Sequence, residues 1–157
     1  MNTHEFSRVV NYVKSIKPNW FLSGDEYLAS KEDIEQVELL VGGTLPDEYV
    51  YFSNNYNAGY FAFVNIYSLN PNSEWYLPVK NKEYEMVSMP QGFIAFSDDE
   101  TGGYYGFLKE KTQYKNEVYF FDSSGDGSIE SIKEDFFEFV VSRGFQPEHF
   151  DLDVLTQ

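Results

Sequence analysis

The stretch GFIAFSDDETGGYYGFLKEKTQYKNEVYFFD, residues 92–122, holds three runs rich in aromatic and β-branched side chains, separated by polar segments. Such runs suit the half-buried, pleated surface of a sheet, and they predict strands over 92–97, 104–109 and 117–122. The connection Asp98-Asp99-Glu100-Thr101-Gly102-Gly103 is acidic and ends in Gly, and 110–116 is polar. Both are too short to cross over a sheet, so successive strands return beside one another as an antiparallel meander.

Outward from this block the pattern changes to helical. Downstream, Ile132, Phe136, Phe139 and Val140 recur at helical spacing before Gly144, which predicts a closing helix over 131–143. Upstream, 60–67 alternates with period two and reads as a first strand, while 75–79 reads as a short edge strand limited by Pro78, with 83–89 helical or irregular. Nearer the start, Phe6, Val9, Val10, Val13 and Ile16 mark a helix over 3–16, stopped by Pro18. Ser30 with Asp33 opens a second helix carrying Ile34, Val37, Leu40 and Val41, closed by Gly42-Gly43. Pro46-Asp47-Glu48 opens a third with Tyr49, Phe52 and Tyr56 on one side. Helices, then strands, then a helix predict an α+β fold: a single antiparallel meander sheet with N-terminal helices and a C-terminal helix packed against it. No repeat or linker interrupts the chain, so one domain is expected over residues 1–157.

The charge balance narrows the partners. With 26 acidic against 11 basic residues the formal net charge is −15, a field that repels nucleic acid and anionic membranes and draws in basic proteins. Nowhere do enough apolar residues run together for a membrane span, and charges interrupt the first twenty positions, so neither membrane nor export is expected. The absence of Cys removes disulfides, thiolate zinc sites and thiol nucleophiles, and fits a reducing, cytoplasmic home.

Catalytic chemistry finds little to work with. The two histidines, His4 and His149, lie near opposite ends, leaving no base for a Ser or Cys nucleophile. Asp98, Asp99 and Glu100 supply paired carboxylates of the sort glycoside hydrolysis uses, but neighbours in an open turn stay solvated, with nothing to drive their pKa values apart. Residues 122–129, DSSGDGSI, match the first half of an EF-hand loop, yet the twelfth position is Lys133 where a bidentate Glu belongs; an Asp/Gly-rich turn is the expected outcome. Isolated Gly pairs at 42–43 and 102–103, with no Lys-Ser or Lys-Thr following, give no phosphate cradle. No cofactor, no metal and no enzymatic activity are therefore expected. Of the thirteen Tyr and fifteen Phe, most fall at strand or helix period as core, and the exposed Tyr residues suit a protein interface.

An order of short motifs runs through the chain: Ile34-Glu35-Gln36-Val37-Glu38, Leu45-Pro46-Asp47-Glu48-Tyr49 and Asn57-Ala58-Gly59, then Phe93-Ile94-Ala95-Phe96-Ser97-Asp98-Asp99, Gly102-Gly103, Val118-Tyr119-Phe120-Phe121-Asp122, and the closing helix with Phe136, Phe139 and Val140. Each is weakly specific alone; in this order, over residues 34–140, they resemble the SUKH superfamily. That superfamily includes domains similar to a fungal regulator of cell-wall synthesis and many bacterial immunity proteins of polymorphic toxin systems. The resemblance implies a SUKH-like α+β domain that sequesters a toxin, often a nuclease, without catalysis. A basic nuclease is a partner the acidic chain is suited to meet, by stoichiometric occlusion. The expected contact lies at Asp98, Asp99, Glu100, Asp122 and Asp126, where loops at one edge of a meander converge. The competing expectation is a non-catalytic scaffold module that binds a cellular protein or peptide.

Overall fold

The computed structural model describes residues 1–21, 27–83 and 89–145. His149 and most of 83–89 lie outside the described residues. The observed architecture is α+β, with helices packed on an antiparallel sheet.

Helix α1 spans Thr3–Ile16 behind a capping box in which Asn2 and Glu5 satisfy each other's backbone N–H, and it buries Phe6, Val9, Val10 and Val13. After a 3-10 turn at Pro18–Phe21, α2 (Lys31–Val41) opens on the reciprocal Ser30–Asp33 box and closes at Gly42 in the left-handed conformation. It buries Ile34 and Val37, while Leu40, expected on the same inner face, is exposed. Helix α3 (Asp47–Asn55) starts behind Pro46 and buries Tyr49 and Phe52.

The main sheet runs β3 (Phe93–Asp98), β4 (Gly103–Glu110), β6 (Tyr119–Asp122), β7 (Ile129–Ser131), every neighbouring pair antiparallel, with β5 (Gln113–Tyr114) paired to β4. The meander is thus present over the predicted strands and extended by two short ones. β5 forms because Tyr114 and Thr44 exchange backbone hydrogen bonds with their surroundings, Tyr114 N donating to the Thr44 carbonyl at 2.8 Å. Local preference alone would not have held it.

Three expectations are corrected. The strand read over 60–67 is a hairpin of β1 (Gly59–Phe61) and β2 (Val64–Ile66), with Phe61 opposite Val64. The reversal happens at Ala62 and Phe63 without an Asn-Gly or Asp-Gly signal: Ala62 takes φ +54°, and Phe63 N donates to the Gly144 carbonyl. The edge strand read over 75–79 is the start of helix α4 (Leu77–Glu83), whose first turn tolerates Pro78 because its missing N–H has no intrahelical partner there. The closing helix begins at Phe136 instead of 131, as α5 (Phe136–Phe139) followed by a π turn over Val140–Gly144. Its start is fixed by acceptors for its leading N–H groups: Asn116 takes Phe136 N, Glu48 takes Phe137 N and Asp135 takes Glu138 N. Residues 129–131 pair with β6, and Ile132 N donates to the Val118 carbonyl, so this segment belongs to the sheet.

The core is an aromatic lattice between the helices and the sheet. Phe136 lies within ring-contact distance of Tyr49, Phe52, Phe96, Phe107 and Phe137, and Phe6 stacks on Phe137 at 4.2 Å. Tyr49 is fully buried and donates its hydroxyl to the Tyr67 carbonyl at 2.5 Å; burial holds its pKa well above the ordinary value, so it is a neutral donor. Tyr49→Phe is expected to cost about 1–2 kcal/mol in urea unfolding, because the Tyr67 carbonyl loses a buried partner while the ring stays packed.

The outer edge of β3 is closed by side chains. Asn81 of α4 donates to the Ala95 carbonyl at 2.8 Å and accepts from Ala95 N at 2.9 Å, taking the place of a neighbouring strand. Asn65 accepts from Ser97 Oγ and from Asp98 N, and Tyr67 N donates to the Phe96 carbonyl. An edge occupied in this way is protected from pairing with another chain.

Candidate protein-binding surface

The register of the sheet brings together the turns that carry the predicted contact residues. Gly103, at the start of β4, faces Asp122 at the end of β6. The β3–β4 turn (98–103) and the β6–β7 turn (122–128) therefore leave the sheet at the same end. Ser123 stitches them, donating both its N (2.9 Å) and its Oγ (2.8 Å) to the Gly102 carbonyl.

Each of the four aspartates is placed by a bond to nearby backbone. Asp98 accepts from Glu100 N and Asp99 accepts from Thr101 N and Gly103 N, so the carboxylates fold the turn they sit in. Glu100 adopts φ +63°, the strained position that completes the turn. Across the end of the sheet, Asp122 accepts from Ser124 N and Oγ, and Asp126 accepts from Ser128 N. The half-matched EF-hand sequence is thus an Asx turn built on its own backbone. Among the described residues, no group of three or more His, Asp or Glu is arranged to hold a metal ion.

The electrostatics follow from these bonds. Burial acts to raise the Asp99 carboxyl, but donation from Thr101 and Gly103 outweighs it and leaves the pKa below the ordinary 3.8. The hydroxyl and backbone N–H of Ser128 likewise lower Asp126. Both remain anionic at neutral pH. Because the folded pKa of Asp99 lies below its unfolded value, its stabilising effect is complete above the unfolded pKa and is lost as pH falls through the folded one. Asp99→Asn is expected to flatten the acid limb of the stability–pH curve below about pH 4, measured as thermal midpoint against pH.

The β1–β2 hairpin contributes residues that sequence reasoning did not assign to this surface. Tyr60 donates its hydroxyl to Glu100, and Tyr67 donates to Asp98 Oδ2 at 2.5 Å, tying the acidic turn to the hairpin and to the segment after it. Hydrogen bonding to Glu100, then burial, raises the Tyr60 pKa. Tyr60 packs edge-on against Trp75 at 5.4 Å, and Phe63 edge-on against Trp20 at 4.7 Å. Both hairpin rings are exposed, at 48% and 54%. The signal that marks them is the break in alternation at 62–63, visible only once the hairpin is known.

All five predicted residues thus sit at one end of the sheet, with aromatic side chains alongside. Such an arrangement sets carboxylate acceptors beside exposed aromatic rings. No described helix is long and apolar enough to cross a membrane.

Comparison with known proteins bears on the fold and the family. No curated protein matches the chain. Among solved structures, a crystal structure of a protein from Pseudomonas syringae pv. tomato superposes with a TM-score of 0.64 over 89% of this chain and 98% of that one, at 12% identity, which shows a shared fold. A profile of the SUKH_6 family, described as SMI1-KNR4 cell-wall, matches residues 31–140, from the first residue of α2 into the π turn after α5. With most of its length matched, and the helix–meander–helix order in place, the chain belongs to the SUKH_6 family.

Proposed function

We propose that this chain is a cytoplasmic immunity protein that binds a cognate bacterial toxin and neutralises it by stoichiometric occlusion, without catalysis. The observation that carries the reading is the convergence of Asp98, Asp99, Glu100, Asp122 and Asp126 on one end of the sheet, in a chain of net charge −15. A toxin that acts on nucleic acid is basic where it meets phosphate, and an acidic surface competes for the same ground. Acidic side chains speed encounter, and apolar anchors slow release. Membership of the SUKH_6 family supports a protein-binding role on this fold.

The test is co-expression with the product of the neighbouring gene, followed by co-purification and a growth assay. The expected result is a tight complex, weakened by salt, that rescues growth; neither binding nor rescue would remove that toxin as the partner. Within such a complex, replacing the five acids by Asn or Gln should slow association about 10- to 100-fold at low salt and reduce the salt dependence, with a smaller change in dissociation. Unchanged association kinetics would move the contact elsewhere on the chain.

A second reading, an interaction module for a cellular protein or peptide, is favoured by a different surface. Leu39 is 77% exposed and Leu40 58% on α2, and Val79 of α4 is also exposed. Substituting Glu at Leu39 and Leu40 would abolish binding of the cellular partner under this reading, whereas under the immunity reading it would leave toxin binding unchanged.

A further inference from the structure

The geometry points to an arginine-reading surface on the β1–β2 hairpin, in which Tyr60 presents an aromatic face beside the Glu100 carboxylate, with Phe63 exposed at the hairpin tip, to an arginine-bearing segment of a basic protein. This inference rests on the protein-binding reading above and names the side chain that the surface selects.

Three observations carry it. First, a two-residue turn with Ala62 at φ +54° holds Phe63 out at the tip, and Tyr60 emerges from the outer side of β1 between buried Gly59 and Phe61. Large aromatic side chains so exposed, and fixed by edge-on contacts to Trp20 and Trp75, are pre-ordered for contact and lose little rotamer freedom on binding. Second, the tryptophans packed against these two rings already hold cations: Lys80 Nζ lies 4.9 Å from the Trp75 ring centre and Lys17 Nζ 5.9 Å from that of Trp20. Third, the Tyr60 hydroxyl is bonded to Glu100, whose backbone N donates to Asp98 in the same turn, so a carboxylate borders the ring. A planar guanidinium stacks on a ring and donates sideways to a carboxylate at once. An ammonium has no plane to stack.

Charge decides against a second copy of the chain as occupant. Each copy carries a net −15, and face-to-face association would bring two acidic turns together.

The chain has two tryptophans, and both pack on this hairpin, so intrinsic fluorescence reports on the surface directly. The full-length protein is titrated with an alternating arginine–glycine peptide and with its lysine–glycine counterpart of equal length and charge. The expected result is about tenfold tighter binding of the arginine peptide, with a change in tryptophan emission and shifts of the Tyr60 and Phe63 amide resonances. Tyr60→Leu with Phe63→Leu keeps apolar area and removes the π faces, and the two peptides should then bind alike. If the double variant fails to fold, judged by circular dichroism, Tyr60→Leu alone carries the same expectation. Equal affinity of the native protein for both peptides, or an arginine preference that survives the leucine variants, overturns the inference. Its failure is distinct from that of the toxin-binding reading: a toxin complex that forms normally with the leucine variants overturns the arginine surface alone, whereas arginine selectivity without any toxin complex overturns the immunity reading alone.

Discussion

Phe136→Ala is expected to destabilise the protein by about 3–5 kcal/mol, enough to unfold a domain of ordinary stability near physiological temperature. Phe136 is fully buried, and five other aromatic rings come within contact distance of it. They belong to three layers: Tyr49 and Phe52 to α3, Phe96 and Phe107 to β3 and β4, and Phe137 to α5 itself. Truncation removes the ring's own burial and leaves a cavity whose walls are the rings of helices and sheet alike. Because those walls are held by backbone on three sides, the site cannot collapse cheaply, which places the cost toward the upper part of the range for Phe→Ala. Urea unfolding monitored by far-ultraviolet circular dichroism reads the loss as a lower midpoint at unchanged slope. Phe136→Leu, which keeps most of the volume, should recover more than half of it. A loss below about 1 kcal/mol for the alanine variant would mean that the aromatic lattice does not hold helices and sheet together.

The legibility of the fold follows from where its information resides. α1 and α2 are long enough for an apolar stripe to repeat, and their ends carry their own capping partners, Asn2 with Glu5 and Ser30 with Asp33. The sequence therefore specifies them without reference to the rest of the chain. β3, β4 and β6 are legible for a related reason, being continuous runs of aromatic and β-branched residues between polar turns. The short elements are different. β5 and β7 exist only as partners of β4 and β6, and two or three residues contain no period to detect. In the hairpin, Ala62 adopts a left-handed backbone that alanine disfavours, so the turn is imposed by the packing of Phe61 and Val64 on either side and by the Phe63–Gly144 bond. The same division applies to the site. The acidic residues were legible one turn at a time, and their convergence required the pairing of Gly103 with Asp122. Tyr60 and Phe63 were hidden for as long as 60–67 read as one strand, because alternation put Phe63 on the same face as buried Phe61.

Gly106→Val is the second large effect, and it links the sheet interior to the acidic end. Gly106 lies in the middle of β4, opposite Ala95 of β3 on one side and Tyr119 of β6 on the other. A Cβ built there would fall inside the van der Waals radius of the Ile94 carbonyl and crowd the ring of Phe93. The approach is close because β3 is bulged at this point: Ala95 pairs with Gly106 but Ser97 with Tyr105, so Phe96 is an additional residue on the β3 side. The bulge lets Phe96 reach the core against Phe107 and Phe136, and re-aims the strand so that Ser97 and Asp98 meet Asn65. A valine cannot be accommodated by rotating a flexible side chain, since the obstacle is backbone. Either β3 moves away from β4 or the bulge is lost, and the expected cost is about 3 kcal/mol or more. Ala95 N and O are held from outside by Asn81, so outward movement also breaks that pair. If folded protein is recovered at low temperature, the amide resonances of Asp98, Asp99 and Glu100 should shift far more than those of the β6–β7 turn, because only the former hang on β3. Gly106→Ala should show the same pattern at smaller cost. A valine variant of native stability with an unperturbed acidic turn would show that neither the bulge nor its glycine sets the geometry of the surface.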